Sequence, residues 1–197
     1  MTIFSGFTSK TSESLLLDSG AFLKDYDPAT DTWETAKATK LIGATQGGGS
    51  FSAVPTIRRI EIDGVKGAAK GLEALDEWVV TLTANVKEVK PEVIAMALAS
   101  SKTEDSETPA DYQKITANNE IALGDYIDSI AWVGRLSGSQ NPVIIVIKNA
   151  LCTNGLTLTM ADKAEGVVAL TFTAHYDPAD LEKPPFELYY PKVGGDA

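Results

Sequence analysis

The sequence predicts a mainly β domain with one flanking α-helix, and three features carry that reading. Between residues 77 and 89, Trp78, Val80, Leu82, Ala84 and Val86 alternate with Val79, Thr81, Thr83, Asn85 and Lys87. A period of two belongs to a strand with one buried and one largely polar face. Residues 143–151 are nearly continuous in apolar, often β-branched side chains, the composition of a central strand covered on both sides. Alternation returns at Val168, Leu170, Phe172, Ala174 and Tyr176.

The elements follow in chain order. Residues 15–26 contain a strand, and residues 37–43 and 50–62 form a second strand region, interrupted by Gly47, Gly48 and Gly49. The glycines at 64, 67 and 71 mark residues 64–75 as a connecting loop. After the strand at 77–89, Pro91 suits a first helical turn and Glu92 complements the positive end of the helix dipole. Val93, Ile94, Ala97 and Leu98 give that helix, placed at 91–100, an apolar face. Residues 100–109 are polar and acidic and read as a loop. A strand at 128–137 carries Ile130, Trp132 and Leu136 on one face, and residues 137–142 are turn chemistry. Asn154-Gly155 signals a two-residue hairpin turn into a strand at 156–160. The stretch 177–197 holds Pro178, Pro184, Pro185 and Pro191 and cannot be regular throughout. Its Phe186, Leu188, Tyr189 and Tyr190 are more aromatic and apolar surface than a free tail carries, so it is expected to pack on its own domain or on a neighbour.

Composition narrows the function classes. The 197 residues suit one domain, 1–197, and 44% hydrophobic residues supply a core. No apolar run is long enough to span a membrane. Residues 1–12 lack a signal-peptide core, so a cytoplasmic origin is expected. The net charge of −10 argues against a protein that grips nucleic acid through Lys and Arg.

The chemistry-bearing residues are few. Cys152 is the single cysteine, and its apolar surroundings read as a buried small hydrophobe. His175 is the single histidine, on the polar face of the last alternating strand, and one His with one Cys cannot build most triads or zinc sites. Gly47-Gly48-Gly49-Ser50 lacks the Gly-Lys-Ser/Thr and the helix of a phosphate loop. Asp25, Asp27 and Asp31 miss the calcium-loop pattern, since Pro28, Ala29 and Thr30 stand where a ligand, a spacer and a glycine belong and Ala36 where a Glu belongs. An Asx turn is the expected use, and the repeated Tyr-Asp-Pro-Ala at 26–29 and 176–179 reads as convergent turn chemistry. Seven acids (Glu104, Asp105, Glu107, Asp111, Glu120, Asp125, Asp128) and one base, Lys114, lie between 103 and 128. They form a solvated face or a surface that repels nucleic acid. No catalytic, cofactor-binding or metal-ligating residue is assigned, and the chain reads as a non-enzyme.

Three stretches carry a resemblance: 41–64, with its Gln-Gly-Gly-Gly-Ser-Phe-Ser-Ala-Val-Pro core; the strand-to-helix unit 78–94; and 168–180, followed by Pro184-Pro185-Phe186-Glu187-Leu188-Tyr189-Tyr190-Pro191. They resemble the tail tube (major tail) proteins of phages with long, non-contractile tails. The resemblance implies a β-sandwich or half-barrel with one flanking helix and long assembly loops. It further implies hexameric rings that stack into a tube, through which genomic DNA passes without specific binding. Partners would be other copies of the chain and tape-measure, tail-terminator and distal tail proteins, with no membrane. The place would be the virion tail, assembled in the host cytoplasm. On this reading residues 46–53 and 64–75 contribute to ring or stack contacts, a bulky charge at Gly48 impairs polymerisation while the monomer folds, and the channel wall is acidic. The alternatives are a β-sandwich binding or virion-decoration module and the tube of a type VI-like secretion device.

Overall fold

The computed structural model describes residues 6–192, except 159 and 161. Its chain order is β1 (Leu16–Lys24), α1 (Trp33–Thr39), β2 (Thr45–Arg59), β3 (Glu73–Val86), α2 (Pro91–Ala97), β4 (Ser101–Asp105), β5 (Gln113–Ala117), β6 (Ile127–Leu136), β7 (Val143–Cys152), β8 (Val168–Thr173) and β9 (Phe186–Tyr189). The fold is mainly β, as the sequence predicts. The main sheet runs β1-β6-β7-β8-β3-β2, with β9 also paired to β7, and β4 and β5 form a separate hairpin. All these pairings are antiparallel.

The sheet curls into a half-barrel, and the fork at β7 belongs to that curl. Residues 144–147 of β7 pair with β9, while Leu151 and Cys152 pair with β8. The two outer strands of the path then approach each other. A Cβ at Gly48 on β2 would lie 3.3 Å from Ser19 Cβ on β1, and one at Gly49 would lie 2.7 Å from Phe22 Cζ. The triple glycine therefore does not interrupt the strand. It sits inside β2 at a bulge between Thr45 and Gly49, with Gly47 and Gly48 at positive φ, and gives β1 room at the barrel seam.

Two apolar layers hold the barrel. Inside it, Phe22, Val80, Leu82, Ala84, Val86, Ile130, Ile147, Val168, Leu170 and Phe172 are buried with Val93 and Ala97 of α2. The alternation in β3 and β8 thus reports the inner face. Outside it, Leu23, Tyr26, Ala131, Val133 and Val146 are buried with Ala36 of α1. Strand β6 is covered on both faces for this reason. Trp132 is pinned by Nε1, which donates to Ser19 O at 2.9 Å. A Cβ at Gly134 would stand 2.0 Å from its ring.

Several expectations need correction. Residues 37–43 are not a strand, because α1 covers their first part. Thr32 caps it in a capping box with Thr35, and Ala36 and Ala38 favour helix. So short a helix is marginal alone, and burial of Ala36 against the outer layer holds it. Among the described residues there are therefore two α-helices where one was expected. Helix α2 stops at Ala97 and not at 100, since Ala99 turns to φ 62°. Residues 100–109 are not all loop, because β4 pairs with β5 and sets Glu104 opposite Lys114 and Thr103 opposite Ile115. Residues 156–160 form no strand beyond one bridge, Leu158 to Val168, and 159 lies outside the described residues. Asn154 takes the edge of β8 instead. Its Oδ1 accepts from Thr171 N at 2.9 Å and its Nδ2 donates to Ala169 O at 2.7 Å. The proline-rich stretch packs on its own domain through β9, and residues 193–197 lie outside the description.

Candidate assembly surface

Beyond the core, β2 and β3 continue together as an arm. From Val54 to Val79 no residue is buried, although the strands stay paired from Val54↔Val79 to Arg59↔Glu73. Directly opposed residues share a face of the hairpin. Val54 and Val79 form one such apolar pair, and Ile57 and Leu75 another, at 54%, 47%, 60% and 53% exposure. Ile60, Ile62 and Val65 are exposed towards the tip. Scattered surface apolars need no explanation, whereas two directly opposed apolar pairs on one projection, three residues apart along β2 and so on opposite faces of the hairpin, leave apolar surface on both of its faces.

The arm is built to hold its shape. Asp76 is the extra residue of a bulge between Thr56/Glu77 and Ile57/Leu75. Its carboxylate accepts from Arg58 Nε at 3.3 and 3.2 Å. Arg59 donates through Nη2 to Gly67 O, and Ile60 N donates to Leu72 O at 2.8 Å, which closes the tip. At the root, Phe186 packs against Trp78 and Phe51, with ring centroids 5.4 and 5.9 Å apart. Tyr176 Oη accepts from Trp78 N at 3.0 Å. Residues 64–75, read as a loop from their glycines, are therefore the tip and returning leg of a hairpin.

A scan against protein-family models finds no match for this chain, and a search of curated proteins finds none either.

The residues weighed for chemistry are engaged within the fold. Asp27 Oδ1 accepts from Ala29 N at 3.0 Å and Asp27 Oδ2 from Thr30 Oγ1 at 3.1 Å. Asp31 Oδ2 accepts from Asp27 N at 2.8 Å and from Lys40 Nζ at 2.6 Å. Those two bonds, the backbone one foremost, hold the Asp31 carboxyl below its ordinary range. Asp177 Oδ1 accepts from Ala179 N at 2.9 Å, so both Tyr-Asp-Pro-Ala copies are Asx turns. His175 lies past the end of β8, with Nδ1 3.0 Å from Asn149 O and its ring edge-on to Tyr126. Cys152 is buried 3.1 Å from Asn154 Oδ1, and burial raises its thiol pKa. Among the described residues no three His, Cys, Asp or Glu side chains group as metal ligands.

The acidic run is spread over several elements. Glu104 and Asp105 lie on β4, Asp125 in a 3₁₀ turn at Leu123–Asp125, and Asp128 on β6. Lys102 hydrogen-bonds Glu104, which lowers the carboxyl pKa and raises that of the amine. Among the described residues no helix is long and apolar enough to cross a membrane.

Proposed function

We propose that this chain is a structural subunit that polymerises into stacked rings, the tail tube protein of a long-tailed phage, and not an enzyme. The observation that carries the reading is the arm. It is ordered by the bulge at Asp76 and by its aromatic root, yet it leaves two apolar cross-strand pairs in water. Such a surface is completed by another molecule. Among the described residues the outer strands β1 and β2 are not paired with each other, and β1 carries only the Leu23–Leu41 bridge on its outer side, so identical copies can supply both completions.

The composition supports the same reading. A net charge of −10 suits a wall that lets DNA slide without the phosphate contacts that would hold it. The partners would be further copies of the chain and tape-measure, tail-terminator and distal tail proteins, and the place the virion tail. The lumen of the assembled tube is expected to be acidic.

Electron microscopy of the concentrated protein, with and without tail initiator proteins, tests the proposal. Rings or tubes are expected, and an arm-deleted variant with 56–77 replaced by a short turn is expected to stay monomeric and folded. Monodisperse monomer under every condition would overturn the proposal, and glycan binding by such a monomer would favour a binding module. A lumen dominated by Lys and Arg would overturn the charge argument.

A further inference from the structure

We infer that Asn154 is a self-modifying site, where the fold activates the side-chain amide towards attack by Gly155 N, loss of ammonia and conversion to aspartate or isoaspartate. The site is independent of the assembly reading above. Of the six asparagines in the chain, Asn154 alone precedes a glycine. The pair does not make the hairpin turn that its sequence suggests, and its groups are placed for another use.

The electrophile is the side-chain carbon Cγ of Asn154. Its oxygen, Oδ1, accepts from Thr171 N at 2.9 Å and from the Cys152 thiol at 3.1 Å. Among the described residues no other asparagine side-chain oxygen accepts a hydrogen bond, and Asn118 and Asn149 are held only through Nδ2, by Ser100 Oγ and His175 O. Two donors on one carbonyl oxygen form a small oxyanion hole, because they stabilise the negative charge that gathers there when Cγ is attacked. Burial raises the pKa of the Cys152 thiol, so the sulfur keeps the proton that it donates.

The nucleophile is Gly155 N. It donates no hydrogen bond among the described residues. Gly155 stands at φ 69°, and a Cβ there would meet nothing within 4 Å, so the imide ring has room to close. Hydroxide takes the proton from Gly155 N, the N–Cγ bond forms, and charge gathers on Oδ1. The Cγ–Nδ2 bond then breaks, and the nitrogen leaves as ammonia with a proton from water. A second water opens the cyclic imide at either carbonyl, which gives aspartate or isoaspartate with no change of oxidation state.

The product cannot keep the contact that the amide makes. Asn154 Nδ2 donates to Ala169 O at 2.7 Å. A carboxylate oxygen in that place sets acceptor against acceptor and adds a negative charge. Strand β7 pairs with β8 only at Leu151 and Cys152, and Asn154 extends that edge to Ala169. Conversion therefore opens the edge of β8 as the protein ages.

The test incubates the full chain beside a synthetic peptide of residues 149–163 at mildly alkaline pH and follows conversion by peptide mass spectrometry. Asn154 in the folded chain is expected to convert about tenfold faster than in the peptide, below the factor of about a hundred or more that one oxyanion donor gives an enzyme. The other asparagines are expected to stay intact. Cys152→Ala should slow conversion several-fold, and Cys152→Ser, which keeps a donor, should restore it. Asn154→Asp should quicken amide exchange at Thr171. Conversion no faster in the folded chain than in the peptide would mean that the hydrogen bonds shield the amide, and overturns the inference. Conversion unchanged in a folded Cys152→Ala variant overturns it as well. The comparison with the peptide needs no variant, so it decides the matter even where Cys152→Ala does not fold.

Discussion

At Gly49 a Cβ would stand 1.9 Å from Thr83 O and 2.7 Å from Phe22 Cζ. The first of these is backbone in the paired strand and cannot swing aside. Gly49→Ala is therefore expected to destabilise the fold by about 3 kcal/mol, the upper end of the overpacking range, read as a lower urea midpoint. Gly67, with nothing within 4 Å of the same construction and no left-handed φ, is the contrast. Gly67→Ala is expected to change stability by no more than about 0.5 kcal/mol, and equal midpoints for the two variants would refute the seam. Gly48 is constrained differently, being buried at φ 65° with a Cβ position 3.3 Å from Ser19 Cβ. A bulky charge there strains the monomer, so the expectation that Gly48 variants fold normally is replaced by probes at Gly67. A run of glycines announces backbone freedom in a sequence, but whether a loop, a bulge or a close approach uses it depends on what lies across the seam, and that partner is distant in the chain.

At the scale of elements, the root of the arm is where the C-terminal stretch acts. Phe186 on β9 fills the space between Trp78 on β3 and Phe51 on β2. Glu187 beside it accepts from Tyr189 Oη at 2.6 Å and pairs with Lys183 at 2.9 Å, and those partners, Tyr189 first, lower its pKa. Phe186→Ala is expected to lower stability by about 2–3 kcal/mol, below the 3–5 of a fully buried Phe. Amide exchange should quicken in the root strands before it does in β6 and β7. Unchanged exchange at the root would show that the wedge is incidental. The strands β3, β6, β7 and β8 were legible because burial writes itself into alternation or into an unbroken apolar run. The helix α1, the β4–β5 hairpin and β9 were not, since they are short and held by local devices: a capping box, an opposite-charge pair, one aromatic contact. The arm was half legible. Val54, Ile57, Leu75 and Val79 were visible as residues, but outside the core neither face is buried and no period marks the strand.

For the whole molecule, the separation of a stable body from an exposed, ordered arm makes folding and assembly independently adjustable. The buried layers lie in the barrel and under α1, while Ile57 and Leu75 are more than half exposed on the arm. Replacing both by serine removes apolar surface that only a neighbour can cover. Exposed positions contribute within about 0.5 kcal/mol to the monomer, so Ile57→Ser/Leu75→Ser is expected to melt within a few degrees of the unaltered chain. Each buried methylene is worth about 0.8 kcal/mol at an interface. The pair should therefore raise the concentration at which the protein assembles by at least about tenfold, which corresponds to 1.4 kcal/mol. Sedimentation across a concentration series, beside a thermal melt of the same sample, separates the two effects. Assembly that falls only in step with the melting temperature would mean that the arm serves the fold, and assembly that does not change would mean that copies join elsewhere.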